Sequence, residues 1–373
     1  MKIVLAPDSF KGSMSSKEVC DFMSIGIKKA LPTAKIVKAP MADGGDGTLA
    51  TLINLYEGHY VTCNVLDPLG NEIIAKYGLI KNNQIAVIAM SEASGIDLIS
   101  KRQLNPIKAT SYGTGQLILD AINKGVKHIY IGLGGSATND GGQGMAKALG
   151  VSFTDVKGNE IGLGNGNLSN LKHISLHSLN KKLANVKFTI LSDVQNPLTG
   201  PKGASEIFGP QKGANHDSIK ILDNNLKIMA QTIHNDLGID VDSMPGAGAA
   251  GGMGAALIAF TNSTFVSGAD FIMQKYNLKE QFKDCDYVFT GEGSIDAQSR
   301  FGKVTGKITD LAKTVNPNCK VIGLGGIVAE NIKALNMDAA FSITNGSMSL
   351  EDSIKAAHNL TMDLSENIMR LIK

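Results

Sequence analysis

Arginine is scarce: among 373 residues only Arg102, Arg300 and Arg370 occur. Bidentate guanidinium clamps are therefore few, and anion contacts must come from lysine, backbone N–H groups and hydroxyls. No long basic run is present and the formal net charge is +2, which argues against both a nucleic-acid groove and an anionic membrane surface. Cys20, Cys63, Cys285 and Cys319 are scattered, with no CxxC pair. Their spacing signals neither a zinc site nor a disulfide frame, and a reducing cytoplasm is the expected compartment. The seven histidines do not cluster, so histidine base or metal chemistry is not expected. The first apolar run, 3–6, stops at Pro7 and is too short for a signal peptide. No stretch approaches membrane-spanning length. The P-loop pattern GxxxxGK[ST] is missing too, since Gly302-Lys303-Val304 and Gly306-Lys307-Ile308 lack the hydroxyl.

Glycine is plentiful, and two loops are built largely from it. The apolar run 129–133 reads as a buried strand and breaks into Gly134-Gly135-Ser136-Ala137-Thr138-Asn139-Asp140-Gly141-Gly142, followed by a helix-like segment at 145–149. Glycines let successive N–H groups turn toward one point, and a helix start adds positive potential there, so a phosphate is the natural guest. Ser136, Thr138 and Asn139 offer donors, and Asp140 a carboxylate that could reach Mg²⁺ through water. The competing assignment is a tight strand-to-helix turn with no ligand. The second loop, 245–254, carries Gly246, Gly248, Gly251 and Gly252 and opens a helix at Ala255.

The first 60 residues and the last 90 alternate strand and helix, the grammar of a parallel sheet. Strands are expected at 2–6, 36–39, 287–290, 320–323 and 340–343, and helices at 303–315, 330–336 and 351–372, with Ser15 or Ser16 capping the first helix. Between these parts lie three closely spaced strands, 61–66, 73–77 and 85–90, that read as antiparallel. Two strands are too few for an independent sheet, whereas five make one. The expected fold is therefore α/β with two domains. Residues 1–61 and 284–373 form a discontinuous, doubly wound, Rossmann-like parallel-sheet domain, and 62–283 an inserted α/β domain of mixed sheet. The cleft between them is the expected site.

Loops after parallel strands are where open α/β sheets place ligands. Those of the outer domain carry Asp8, Ser9 and Lys11; Asp43 and Asp46; and Glu292 and Asp296. The inserted domain adds Asp193, at the end of the strand 188–191, and Lys212. Phosphoryl transfer needs donors around the phosphates, a Mg²⁺ carboxylate, a cation near the migrating group and a carboxylate near the acceptor hydroxyl. All four are present. Asp193 is the best placed of these carboxylates for general base, because Pro197 and glycines follow where a capped helix would need to begin. Asp43, Asp46 and Asp296 could equally cap helices. A rival pattern, GxGxxA at 132–137 with Asp155 about twenty residues on, would suit a dinucleotide-binding dehydrogenase.

Seven segments in order, at 1–13, 42–48, 110–115, 134–142, 208–213, 245–254 and 290–296, together resemble the bacterial type-1 glycerate kinases, and the resemblance runs end to end. It implies two α/β domains, one of them discontinuous, and phosphorylation of D-glycerate dependent on ATP and Mg²⁺. The product in many members is 2-phosphoglycerate; 3-phosphoglycerate stays open. The chain departs from similar proteins at Ser294, where they often carry Arg, leaving Arg300 or Lys303 to supply that charge. Within this expectation the ATP phosphates rest on Gly134, Gly135, Ser136, Thr138, Asn139, Asp140 and Gly141, with Lys212 and Gly246, Gly248, Gly251 and Gly252. Mg²⁺ is held near Asp43 or Asp296. Glycerate meets Asp8, Ser9, Lys11, Glu292 and Asp296, and Asp193, Lys11 and Asp43 serve the chemistry. A small molecule is the only expected substrate, with no nucleic acid or membrane partner; a homodimer is compatible.

Overall fold

The computed structural model describes every residue except Asp46, Ala297, Gln298, 300–302 and 330–334. The described strands are β1 Lys2–Leu5, β2 Lys35–Lys38, β3 His59–Leu66, β4 Glu72–Ile80, β5 Ile85–Ala89, β6 His128–Gly132, β7 Ser152–Thr154, β8 His173–Ser175, β9 Lys187–Leu191, β10 Asn262–Val266, β11 Tyr287–Ile295, β12 Lys320–Val328 and β13 Ala339–Ser342. They belong to two compact units, residues 1–43 with 267–373, and residues 44–266.

In the first unit five strands lie parallel in the order β13-β12-β11-β1-β2. The expected doubly wound sheet is thus assembled from both ends of the chain. Ile3, Leu5, Phe289, Ile322 and Leu324 are buried on one face of it, in a core shared with Val19, Met23 and Ile27 of the helix Ser16–Ala30 and Leu360 and Ile368 of the helix Leu350–Ile372. Strand order reverses between β1 and β11, so the crevice beyond their carboxyl ends is where such a sheet takes ligands. The helix Ser16–Ala30 starts at a capping box: Ser15 Oγ accepts from Glu18 N, and the Glu18 carboxylate accepts from Ser15 N at 2.8 Å. Such a cap contributes about 1 kcal/mol.

The second unit holds a mixed sheet, β10-β9-β6-β5-β4-β3. β5, β6, β9 and β10 run parallel, and β3, β4 and β5 form the antiparallel meander read from the sequence. The strand β10 and the two-stranded antiparallel sheet β7–β8 were not foreseen. The unit boundaries, 43/44 and 266/267, differ from the 61/62 and 283/284 expected from strand grammar. The helix Thr48–Leu55 goes with the mixed sheet, because Ile53 packs where a side chain at Gly78 would stand, 2.1 Å from its Cβ position. The segment before β11 goes with the first unit, where Asn316 Nδ2 donates to Phe282 O at 3.3 Å. Among the described residues no helix is long and apolar enough to cross a membrane.

The helix Ser16–Ala30 packs against Leu350–Ile372 at Gly26, whose Cβ position would lie 2.0 Å from the backbone oxygen of Met362. Gly26→Ala should therefore destabilise the fold by ~1–3 kcal/mol despite alanine's better helix propensity. Denaturant unfolding that shows equal or greater stability would mean that the two helices separate freely.

Candidate active site

Backbone pairing fixes the loop after β1 beside β11: Ala6 N donates to Phe289 O and Asp8 N to Gly291 O, both at 2.8 Å. Phe10 is buried and pairs with Met14 across a tight turn, with Gly12 at φ +79° and Lys11 exposed at the tip. The Asp8 carboxylate accepts from Ser9 N at 2.7 Å. Burial, then the charge of Asp43, then that of Glu292, push the Asp8 carboxyl up to about 7, against the pull of the Ser9 N–H and the Lys11 charge. Glu292 pairs with Lys303 at 3.2 Å through one oxygen. Its other oxygen is buried and finds no hydrogen-bond partner among the described residues. The structure thus gathers Asp8, Ser9, Lys11, Asp43 and Glu292 at the switch point of the sheet. Asp296 follows β11, where its carboxylate accepts from Ser294 Oγ at 3.4 Å and its N–H donates to Ser299 Oγ at 3.1 Å. Lys303, one of the two alternatives to the missing arginine, is committed to Glu292; Arg300 and Asp46 lie outside the described residues, as does most of the helix expected at 330–336.

The second unit's cluster is organised by Asp140, which is fully buried. One carboxylate oxygen accepts from Ser111 N and Ser111 Oγ at 2.8 Å and from Gly144 N at 3.2 Å; the other accepts from Gly142 N at 3.1 Å. Burial pushes its carboxyl up and these donors pull it down. The oxygens expected to reach Mg²⁺ through water are occupied instead by the loop's own donors. Lys212 is buried as well, and Nζ donates to Ser136 Oγ at 2.7 Å and Thr138 O at 2.6 Å. Burial lowers its pKa to about 7, against the Asp140 charge. Asn139 Oδ1 accepts from Ser205 Oγ at 3.0 Å and Asn139 O from Asn165 Nδ2 at 2.8 Å, while Asn225 Nδ2 donates to Asn165 Oδ1 at 3.0 Å. Thr138 Oγ1 and Asn139 Nδ2 are buried with no partner among the described residues. Ser111, Ser205, Asn165 and Asn225 were not singled out as site residues in the sequence, because nothing in their spacing announces a contact with the loop.

The two glycine-rich loops touch each other backbone to backbone. Gly141 N donates to Gly251 O at 3.0 Å. A Cβ on Gly251 would stand 2.1 Å from Thr138 O, and one on Gly252 2.6 Å from Gly141 Cα. Gly248 and Gly246 are likewise filled by neighbours, Pro197 O at 2.2 Å and the Phe265 ring at 2.7 Å from their Cβ positions. On the β6 side, Gly134 lies against Gly45, 2.3 Å from its Cβ position to Gly45 Cα, and Gly135 takes φ +70°. Asp193 is half-buried just beyond β9, where Val194 N donates to Ser192 Oγ at 3.2 Å.

The dinucleotide pattern does not have its structural context. The helix after it, Gln143–Ala148, begins well past Ala137, and Asp155 is half-buried in the turn after β7, accepting from Asn159 N at 2.9 Å.

Residues 3–373 match the sequence profile of the glycerate kinase family. The chain belongs to that family. Glycerate 2-kinase of Escherichia coli (strain K12) is 42% identical over 371 residues, 99% of this chain and 97% of that protein. Glycerate kinase of Halalkalibacterium halodurans is 41% identical over 369 residues, 98% and 97% of the two chains. A crystal structure described as a candidate glycerate kinase 2 from Salmonella typhimurium LT2 superposes with a TM-score of 0.86 at 42% identity, covering 100% of this chain and 98% of that one. The glycerate kinase family is a family of kinases, and the chain is an enzyme of that class.

Both polar clusters suit a kinase's ligands. The unpartnered donors of Thr138 and Asn139 beside the Lys212 ammonium fit phosphate oxygens. The crowded carboxyls of Asp8, Asp43 and Glu292, with one bare oxygen, fit a cation. No three carboxylate, histidine or cysteine side chains among the described residues converge to hold a metal alone. That is compatible with magnesium, which commonly uses one or two carboxylates plus substrate phosphates.

The two shifted groups make opposite pH predictions. Asp8, ordinarily near 3.8 and raised to about 7, binds a proton more tightly in the fold, so the native state loses stability as pH rises from about 4 to about 7. Asp8→Asn should remove that loss: without divalent cation, its thermal midpoint at pH 8 should equal or exceed that of the unmodified protein. A clearly lower midpoint at pH 8 would mean that the ionised carboxylate is welcome in the fold. Lys212, ordinarily near 10.5 and lowered to about 7, costs stability fully below pH 7 and progressively less as pH rises toward 10.5. Relative to Lys212→Met, the unmodified protein should gain thermal stability between pH 7 and 9.5. Parallel pH profiles would show that Lys212 stays charged throughout.

Proposed function

We propose that the chain transfers the terminal phosphoryl group of ATP to D-glycerate, giving 2-phosphoglycerate and ADP, with Mg²⁺ as companion ion. The name of the Escherichia coli relative, glycerate 2-kinase, supports the 2-hydroxyl as acceptor. The observation that carries the chemistry is the carboxyl cluster at the switch point. Asp8 is pushed up by burial and then by the charges of Asp43 and Glu292, a repulsion that a divalent cation would relieve. Asp43 or Asp296 would hold the ion. Ser9 and the exposed Lys11 suit the glycerate hydroxyls and carboxylate, with Asp8, Glu292 and Asp296 as further contacts. Gly134 to Gly141 with Lys212 would receive the phosphates, and the loop carrying Gly246, Gly248, Gly251 and Gly252 would brace it. ATP with its ion supplies the electrophilic phosphoryl group. The chain's own share is to orient the acceptor hydroxyl and take its proton, a role we give to Asp193. The four free cysteines support a cytoplasmic setting.

A coupled assay should register ADP release only when D-glycerate is present, and the phosphorus NMR spectrum of the product should be that of 2-phosphoglycerate. Absence of glycerate-dependent release would overturn the proposal; a 3-phosphoglycerate spectrum would overturn the assigned hydroxyl. Asp193→Asn should lower turnover ~10²-fold or more with an unchanged fold, and normal turnover would remove Asp193 from the mechanism.

A further inference from the structure

Cys285 and Cys319 stand outside every loop assigned to phosphoryl transfer. They precede β11 and β12, at the amino ends of these strands, whereas Glu292 and Asp296 lie toward or beyond the carboxyl end of β11. The two residues are 3% and 1% exposed, and their sulfurs lie 3.0 Å apart. The approach is built into the backbone. Asn316 Nδ2 donates to Cys285 O at 3.0 Å, Cys319 N donates to Asn316 O at 3.0 Å, and Lys313 Nζ donates to Cys319 O at 2.8 Å. Just beyond, Tyr287 stands in register with Lys320. The sulfurs need to close by only ~1 Å to reach bonding distance.

We propose that Cys285 and Cys319 form an oxidisable dithiol, which hydrogen peroxide converts to an intrachain disulfide between the starts of β11 and β12. The pair is asymmetric. The two sulfurs share one hydrogen bond; with the Lys2 ammonium nearby it holds Cys285 below the ordinary thiol value, whereas Cys319 is pushed up by it and by burial. Cys285 is therefore the nucleophile. Its thiolate attacks peroxide, the O–O bond breaks, and the sulfur is left as sulfenic acid with hydroxide departing. The Cys319 sulfur then attacks the sulfenic sulfur, the S–OH bond breaks, and the Cys319 proton leaves with the hydroxyl as water. Two thiols and one peroxide give one disulfide and two waters. Cys20 and Cys63 are pushed up by burial, so they react more slowly.

The experiment uses the full chain, fully reduced and then treated with hydrogen peroxide. Thiols counted in denaturant should fall from the four of the sequence to two, dithiothreitol should restore them, and mass spectrometry should find the peptides of Cys285 and Cys319 joined. Cys319→Ser should accumulate a dimedone-trappable sulfenic acid on Cys285, and Cys285→Ser should accumulate none on Cys319. An unchanged thiol count, or a cross-link involving Cys20 or Cys63, would overturn the proposal; a dimedone adduct on Cys319 would overturn the assigned roles. None of these readouts depends on the kinase activity.

Discussion

The glycine-rich loop of the second unit depends on one buried carboxylate. An ionised group removed from water is costly unless its lone pairs are met, and Asp140 meets that condition with donors from Ser111, Gly142 and Gly144. In doing so it joins the start of the helix Tyr112–Asn123, the loop after β6 and the start of the helix Gln143–Ala148. Gly142 and Gly144 are required there because their N–H groups must turn inward, and a Cβ on Gly144 would stand 2.3 Å from Thr110 Oγ1. Lys212 closes the same loop from the opposite sign of charge, bound to Ser136 and Thr138. The loop is consequently shaped before any ligand arrives, which is the condition for electrostatic stabilisation without reorganisation.

The first unit solves the reverse problem. There burial, and after it the charges of Asp43 and Glu292, raise the proton affinity of Asp8 against the pull of the Ser9 N–H and the Lys11 charge. Carboxyls brought near one another in this way suit a cation.

What could be read from the sequence follows from what is local. Apolar runs bounded by Pro, Gly and Asp marked β1, β6, β9 and the first half of β11 because those segments are short and buried on both faces. The count of strands at the two ends of the chain was enough to imply one sheet. The glycines stood out, but their reasons did not. Gly251 and Gly252 avoid the backbone of residues 138–141, a contact between loops more than a hundred residues apart that no periodicity reports. Asn165 and Asn225 escaped for the same cause, since a buried amide that bonds a distant carbonyl looks like any polar loop or helix residue. The cysteine spacing spoke against pairing, yet β11 and β12 bring Cys285 and Cys319 together. The helix Thr48–Leu55 was given to the wrong sheet by strand grammar, because membership is decided by Ile53 meeting Gly78, not by the order of elements.

The pairing of β1 with β11 has a consequence for how the chain is made. Lys2 and Asp286 are joined across 284 residues. At ordinary elongation rates of about 5–20 residues per second, roughly 15–60 s pass between the emergence of these two partners from the ribosome. Through that interval the nascent amino-terminal strand and its amphipathic helix have no sheet to join, while residues 44–266 can already condense around their own core. Biosynthesis thus runs inside-out, because the unit that holds β1 is completed only after residues 44–266 have been made.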